Sequence, residues 1–281
     1  MTLNKIPKEN HQGFQEPAEW PEGIIPRIQK QVRHKEFVRS NPHLDKVMLG
    51  IEDAARLLAK GDVFSSYFSP NVDLITTSTI HDQPLGELRW TYEETVVRAV
   101  GSQYHIPTDY WVYGDMEPEA RKANIRAMMQ GTKWFSHQLA DTSTKIIPLV
   151  SGVNREEREI CYQTFDELDA SYCAVYGAQY FGGSMGDGIN KLNNYIRNIV
   201  SEYPVEGVML IGLQSADYLQ RLPPEVVAAA GQRWIYQSGL RELSIEETRN
   251  QFGQWKQLPE SQLGRGIATL GSFTASNEVT A

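Results

Sequence analysis

Four stretches of this chain end in the same way, as a short apolar run, then Gly or Ser-Gly, then a polar loop and a segment with helical spacing. They are Tyr110–Tyr113 before Gly114-Asp115, Lys145–Val150 before Ser151-Gly152, Tyr172–Tyr176 before Gly177, and Gly207–Ile211 before Gly212. Strands that alternate with helices long enough to cross over imply a parallel sheet covered by helices. In such sheets, ligands and chemistry gather at the carboxyl ends of the strands. The recurring punctuation therefore limits both the fold class and the place to look for function.

The remaining pattern fills in the alternation. Glu36–Arg39, Val72–Thr77 and Arg233–Tyr236 read as strands. Asp45–Ala59 has apolar residues at helical spacing, and Gly61 follows as a stop signal. Tyr92–Gly101, Ile189–Val200 and Ile245–Trp255 read as helices, as do short stretches from Ala216 and over Glu225–Ala230. Glu117–Leu139 is the clearest helix, with Pro118 and acidic residues at its start. Arg155–Leu168 is another, with Asn154 as its N-cap. About seven strand-like runs are legible where a full barrel has eight. The expected fold is an α/β (β/α)8 TIM-type barrel, incomplete or irregular.

Residues 1–33 are polar and Pro-rich and are expected to form an extended arm. The barrel is expected over 34–258, followed by a weakly ordered tail over 259–281 rich in Gly, Ser and Thr. At 281 residues the chain suits one barrel domain. The start of the chain lacks the apolar core of a secretory signal, and no run is long enough to span a bilayer. Two cysteines, Cys161 and Cys173, are too few for a disulfide framework or a Cys-rich zinc site. The expectation is a soluble, cytoplasmic protein with no membrane association, no metal and no cofactor. The net charge of −8 disfavours broad nucleic-acid binding but leaves room for a local basic groove.

The candidate functional residues sit at the expected strand ends. Asp115 follows a strand-end Gly, where a carboxylate can accept N–H groups of a ligand; its bland alternative is a helix cap. Ser151 and Gly152 end the next strand, where Gly lets a flat ligand approach the backbone. Gly177, Gln179 and Tyr180 combine a strand-end Gly, an amide that both donates and accepts, and an aromatic ring. The loop from Gly182 to Gly188 reads as a lid or wide turn, because it lacks dinucleotide-binding spacing. Asp73, His81 and Asp82 flank the run Leu74 to Ile80 and are candidates for acid–base work. Arg121, Lys122, Arg126, Arg233, Gln237 and Arg241 are positioned for phosphates or for plain solvation. No Walker loop, nucleophile elbow, C-x-x-C or H-E-x-x-H is present.

The order of these strand ends resembles the second half of the tRNA-guanine transglycosylase superfamily, which includes enzymes that insert 7-deazaguanine bases into DNA. Tyr113-Gly114-Asp115 resembles the segment with the family's base-recognising Asp. Ile147-Pro148-Leu149-Val150-Ser151-Gly152 resembles its strand ending in Gln-Gly-Gly. Tyr172 to Gly177 resembles its Tyr-Ala-Val-Gly-Gly strand, and Val208 to Gly212 with Ser215 to Leu219 resembles a further segment. The resemblance implies a purine or 7-deazapurine base as ligand, in DNA or tRNA, with Asp115 reading the base and Gly152 and Gln179 lining the pocket. The chain departs from the family elsewhere. The nucleophilic Asp would fall near Gln232-Arg233, the Asp-Ser-Gly-Gly-Phe motif is absent, and so is the zinc site. Asp73 or Asp82 would have to supply the missing catalytic carboxylate. Two alternatives follow. One is a non-catalytic barrel that binds a protein partner or a second copy of itself; the other is a glycosidase with paired carboxylates.

Overall fold

The computed structural model describes residues 20–80, 82–181 and 187–265, with only the backbone for 82–84. The strands are β1 Gly23–Ile28, β2 Lys46–Gly50, β3 Asp73–Thr77, β4 Tyr104–Ile106, β5 Lys145–Ile146, β6 Tyr172–Tyr176, β7 Gly207–Ile211 and β8 Val226–Gly231. Between β1 and β4 lie helices α1 Val32–Val38, α2 Ile51–Leu58, α3 Phe64–Tyr67, α4 Asp82–Glu87 and α5 Trp90–Val100. Then come α6 Pro118–Gln138, α7 Arg155–Leu168, α8 Gly188–Glu202, α9 Ala216–Leu219, α10 Trp234–Gln237 and α11 Ile245–Glu260.

All paired strands run parallel, in the order β5-β4-β3-β2-β1-β8-β7-β6. The sheet curls until its two edges meet. There Val150 N–H donates to the Ala174 carbonyl at 2.9 Å, and Ala174 N–H to that of Pro148 at 2.8 Å. Leu149 and Ala174 form the isolated bridge across this seam. The result is an irregular α/β barrel of the (β/α)8 kind. Among the described residues, no helix is long and apolar enough to cross a membrane.

Strand alternation sorts the side chains into rows. Arg27, Met48, Ile75 and Tyr104 are aligned across β1 to β4 and face inward. Tyr176, Ile211, Ala230 and Ile25 form an inward row on the other half. The next row outward, Leu49, Thr76 and His105, faces the helices. His105 is fully buried there, with Glu93 of α5 equally buried beside it. Its Nε2 lies 3.0 Å from Glu93 Oε1, and its Nδ1 lies 2.9 Å from Thr76 Oγ1. The carboxylate contact is short but poorly aligned as a hydrogen bond. At the amino end of the barrel Trp20 stacks on Tyr172, ring centroids 5.0 Å apart, and the Tyr172 hydroxyl donates to the Pro21 carbonyl.

Several expected elements shift. The arm expected over 1–33 contains β1, which pairs with both β2 and β8. Pro26 and Arg27 interrupt its apolar run, and Pro argues against a central strand, so the sequence disguises it. Glu36–Arg39, expected as a strand, lies largely in α1. The helix expected over Asp45–Ala59 divides into β2 and α2, because consecutive apolar residues satisfy both periods. Tyr110–Tyr113 is loop, and the strand before it is β4. The Ala-rich run expected as a helix is β8, a case of tertiary context overriding helix propensity. Arg233–Tyr236, expected as a strand, enters α10. The tail expected from 259 begins inside α11, and Gly264 N–H still bonds the Val226 carbonyl at 3.0 Å; 266–281 lie outside the described residues.

Candidate functional site

The carboxyl ends of the strands define one face of the barrel, and an arginine reaches up inside it. Arg27 extends from its inward row until Nη2 donates to the Thr79 carbonyl at 2.6 Å. It passes Gly50, where an added Cβ would lie 3.7 Å from Nη2. Its main chain is held from outside, by Trp234 Nε1 donating to the Arg27 carbonyl at 3.2 Å. Burial lowers the Arg27 pKa, against the opposing pulls of Tyr176, Asp53, Glu52 and Asp109. Tyr176 ends β6 and Asp109 follows β4, so the guanidinium feels groups from well-separated strands of the ring. Thr79 is its only hydrogen-bond acceptor among the described residues.

The loops around it are fixed by small hydroxyls. Thr77 Oγ1 lies 2.8 Å from Thr79 Oγ1 and accepts the Thr79 N–H at 3.0 Å. Ser78 N–H donates to the Ile106 carbonyl at 3.1 Å, while Ser78 Oγ accepts Asp109 N–H at 3.1 Å. Thr108 has φ of 46°, a strained value for a β-branched residue. Its hydroxyl donates to the Met128 carbonyl at 2.9 Å, which ties the loop to α6. Gly131 permits that approach, since a Cβ there would come 2.4 Å from Thr108 Cγ2.

Asp115 lies further along the same loop, in an exposed turn. Arg121 Nη1 donates to the carbonyls on both sides of it, Gly114 at 3.5 Å and Met116. The same guanidinium grips Glu157 Oε1 through Nη2 at 2.8 Å and Nε at 3.0 Å. Glu157 Oε2 takes the Val153 N–H at 2.7 Å. Burial pushes the Glu157 carboxyl up, but Arg121 and the Val153 N–H outweigh it and hold its pKa below the usual range. One buried pair thus fastens the loop carrying Asp115 to the loop after β5. No partner holds the Asp115 carboxylate itself among the described residues.

The other expected site residues are placed as follows. Asp73 begins β3, at the amino end of the barrel beside Lys46 and Asp45, so it cannot work with groups at the opposite face. Asp82 opens α4 on the correct side, but its side chain lies outside the described residues, as does all of His81. Ser151 is half-buried, and its carbonyl faces the Cys161 thiol at 3.5 Å. Gly152 has φ of +131° and turns the chain into α7, with Glu157 and Arg158 against it. Gly177 is a packing residue: a Cβ there would meet Leu210 Cδ1 at 2.6 Å on the outer side of β7. Gln179 is exposed in the 3-10 turn Ala178–Phe181 and donates to the Tyr176 carbonyl at 3.1 Å. Tyr180 packs on Tyr195, centroids 5.7 Å apart. Of the loop from Gly182 to Gly188, 182–186 lie outside the described residues.

Arg27, Asp109 and Tyr176 were not among the expected residues. A charged side chain embedded in Ile24-Ile25-Pro26-Arg27-Ile28 was the signal for the first. A groove of about 650 Å³ between α6 and α7 lies on the outer wall, away from the strand ends. Its Lys122 and Lys133 are already paired with Glu156 at 2.6 Å and Glu167 at 3.0 Å. Among the described residues there is no cluster of three or more His, Cys, Asp or Glu able to hold a metal ion.

Neither a family model nor a curated protein matches this chain.

Proposed function

We propose that the carboxyl face of this barrel binds a guanine-type base, free or carried in DNA or tRNA, and exchanges it by transglycosylation. The observation that carries this reading is the Asp115 turn. Its carboxylate is exposed and has no partner among the described residues, yet the carbonyls of Gly114 and Met116 on either side are gripped by one buried arginine. A carboxylate held in this way can accept paired N–H groups, such as those on the Watson–Crick edge of guanine.

Exchange needs a carboxylate that attacks C1′ as the bond from C1′ to the base breaks and the base leaves with the electron pair. The incoming base, having lost its ring N–H proton, then attacks C1′ and releases the carboxylate, while the expelled base takes up a proton, so the exchange is proton-neutral. Asp109, beside Arg27 at the mouth, is the carboxylate we assign to this step in place of Asp73. A non-catalytic binding barrel is the second reading. It is favoured by the exposed Gln232 and Arg233 after β8, neither of which can act as that nucleophile.

Labelled guanine offered with tRNA or double-stranded DNA separates the two, since only the enzyme incorporates label. Asp115→Ala is expected to weaken guanosine binding by about tenfold or more, the range for a hydrogen bond to a charged group. Unchanged affinity in that variant sinks the base-binding reading.

A further inference from the structure

Arg27 is an arginine on the inner wall of a barrel, in line with Met48, Ile75 and Tyr104, all three fully buried. One of its five N–H donors is spent on the Thr79 carbonyl. The Nε and Nη1 donors have no acceptor among the described residues, and the side chain is only partly buried. Its orientation is fixed in advance, because Thr79 is itself locked to Thr77 at 2.8 Å. A planar fork held rigid, with donors left over, is built to receive two adjacent acceptors.

The surrounding charge narrows what those acceptors belong to. Glu52, Asp53 and Asp109 all act on the guanidinium. Asp53 is engaged elsewhere, accepting Lys30 N–H at 3.1 Å and pairing with Arg56 at 3.4 Å. With Glu52 and Asp109 also acting on this one cation, the mouth is unwelcoming to a further full anion such as phosphate. They leave the fork suited to a neutral face with two acceptors side by side.

We infer that Arg27 reads the Hoogsteen edge of the bound base, donating to a carbonyl oxygen and the neighbouring ring nitrogen, which in guanine are O6 and N7. This rests on the base-binding reading above and adds a specificity to it. The site should prefer a base that keeps N7 over one in which that atom is carbon.

The test is calorimetry with guanosine, 7-deazaguanosine and inorganic phosphate on the 281-residue chain. The wild type is expected to bind guanosine about tenfold more tightly than 7-deazaguanosine, the worth of one hydrogen bond from a charged donor. Arg27→Met and Arg27→Leu, neither of which keeps a donor, should each abolish that preference, whichever of the two folds better by thermal melting. Asp115→Ala should weaken both nucleosides while keeping the preference.

Equal binding of the two nucleosides by the wild type, or a preference that survives in both Arg27 variants, overturns the role of Arg27 and leaves the Asp115 reading standing. Phosphate binding that is lost in Arg27→Met also overturns it, by making this an anion site. If neither nucleoside binds the wild type, the base-binding reading falls and this inference falls with it.

Discussion

Removing His105 tests how the wall behind the mouth is held. Replacing it with Leu leaves the Glu93 carboxylate, fully buried, without the imidazole 3.0 Å away. A buried polar group that loses the partner facing it costs about 1–3 kcal/mol. Thr76 keeps Ser102 Oγ at 2.9 Å, so the hydroxyl side of the network adds little to the loss. Glu93→Met alone removes the carboxyl facing imidazole Nε2, an atom already poorly bonded, and should cost less than about 1–3 kcal/mol, the figure for a newly unsatisfied buried group. The double variant, Glu93→Met with His105→Leu, replaces both by apolar groups of similar size. It should recover most of the loss, to within about 1.5 kcal/mol of wild type. Urea unfolding followed by circular dichroism, compared at constant m, reads these differences as shifts in midpoint. The reasoning is refuted if the double variant is no more stable than His105→Leu, because the cost then comes from lost packing rather than from a stranded carboxylate.

Two further outcomes follow from local geometry. His34 is buried, and its Nδ1 accepts the Gln29 N–H at 2.8 Å, with burial lowering its pKa from 6.5 to about 4. The unfolded chain takes up this proton first, so His34's contribution is intact above pH 6.5 and drains as pH falls toward about 4. The drain amounts to about 3 kcal/mol at 1.36 kcal/mol per pKa unit, and His34→Gln should remove that part of the stability–pH curve. Gly131→Ala should destabilise by about 1–3 kcal/mol, the range for overpacking, despite the better helix propensity of Ala. A raised melting temperature in that variant would show that Thr108 yields freely.

The alternation of strands and helices was legible because β6 and β7 are continuous apolar runs, as buried parallel strands are. Two of the elements that hid carry a polar residue inside an apolar run. In β1, Arg27 breaks the apolar run in order to reach the mouth. In β4, His105 does the same on the outer face, and three residues are too few to show a period. Asp115 stood out for following a Gly, yet the strand assigned before it was loop. The glycines at 152 and 177 looked like openings for a ligand and are explained by a turn and by packing. Sequence spacing reports that a side chain is missing, but only three-dimensional contacts report what fills the space. Asp73 opens its strand, so the rule that ligands gather at the carboxyl ends already set it apart from the mouth.

The seam between β5 and β6 has a mechanical consequence. Elsewhere the ring is joined by strand ladders, short between β4 and β5 and shifted in register within β7–β8, but here a single bridge with two hydrogen bonds around Leu149 and Ala174 completes it, with Pro148 supplying no N–H. A hoop yields where its join is shortest. Widening the mouth at this point breaks two bonds, whereas parting β6 from β7 breaks a ladder of five aligned residue pairs. The loop after β5 borders the seam and is tied through Glu157 and Arg121 to the turn that presents Asp115. Compliance at the join and position of the carboxylate are therefore coupled: a ligand that spreads the barrel there moves the group that holds it.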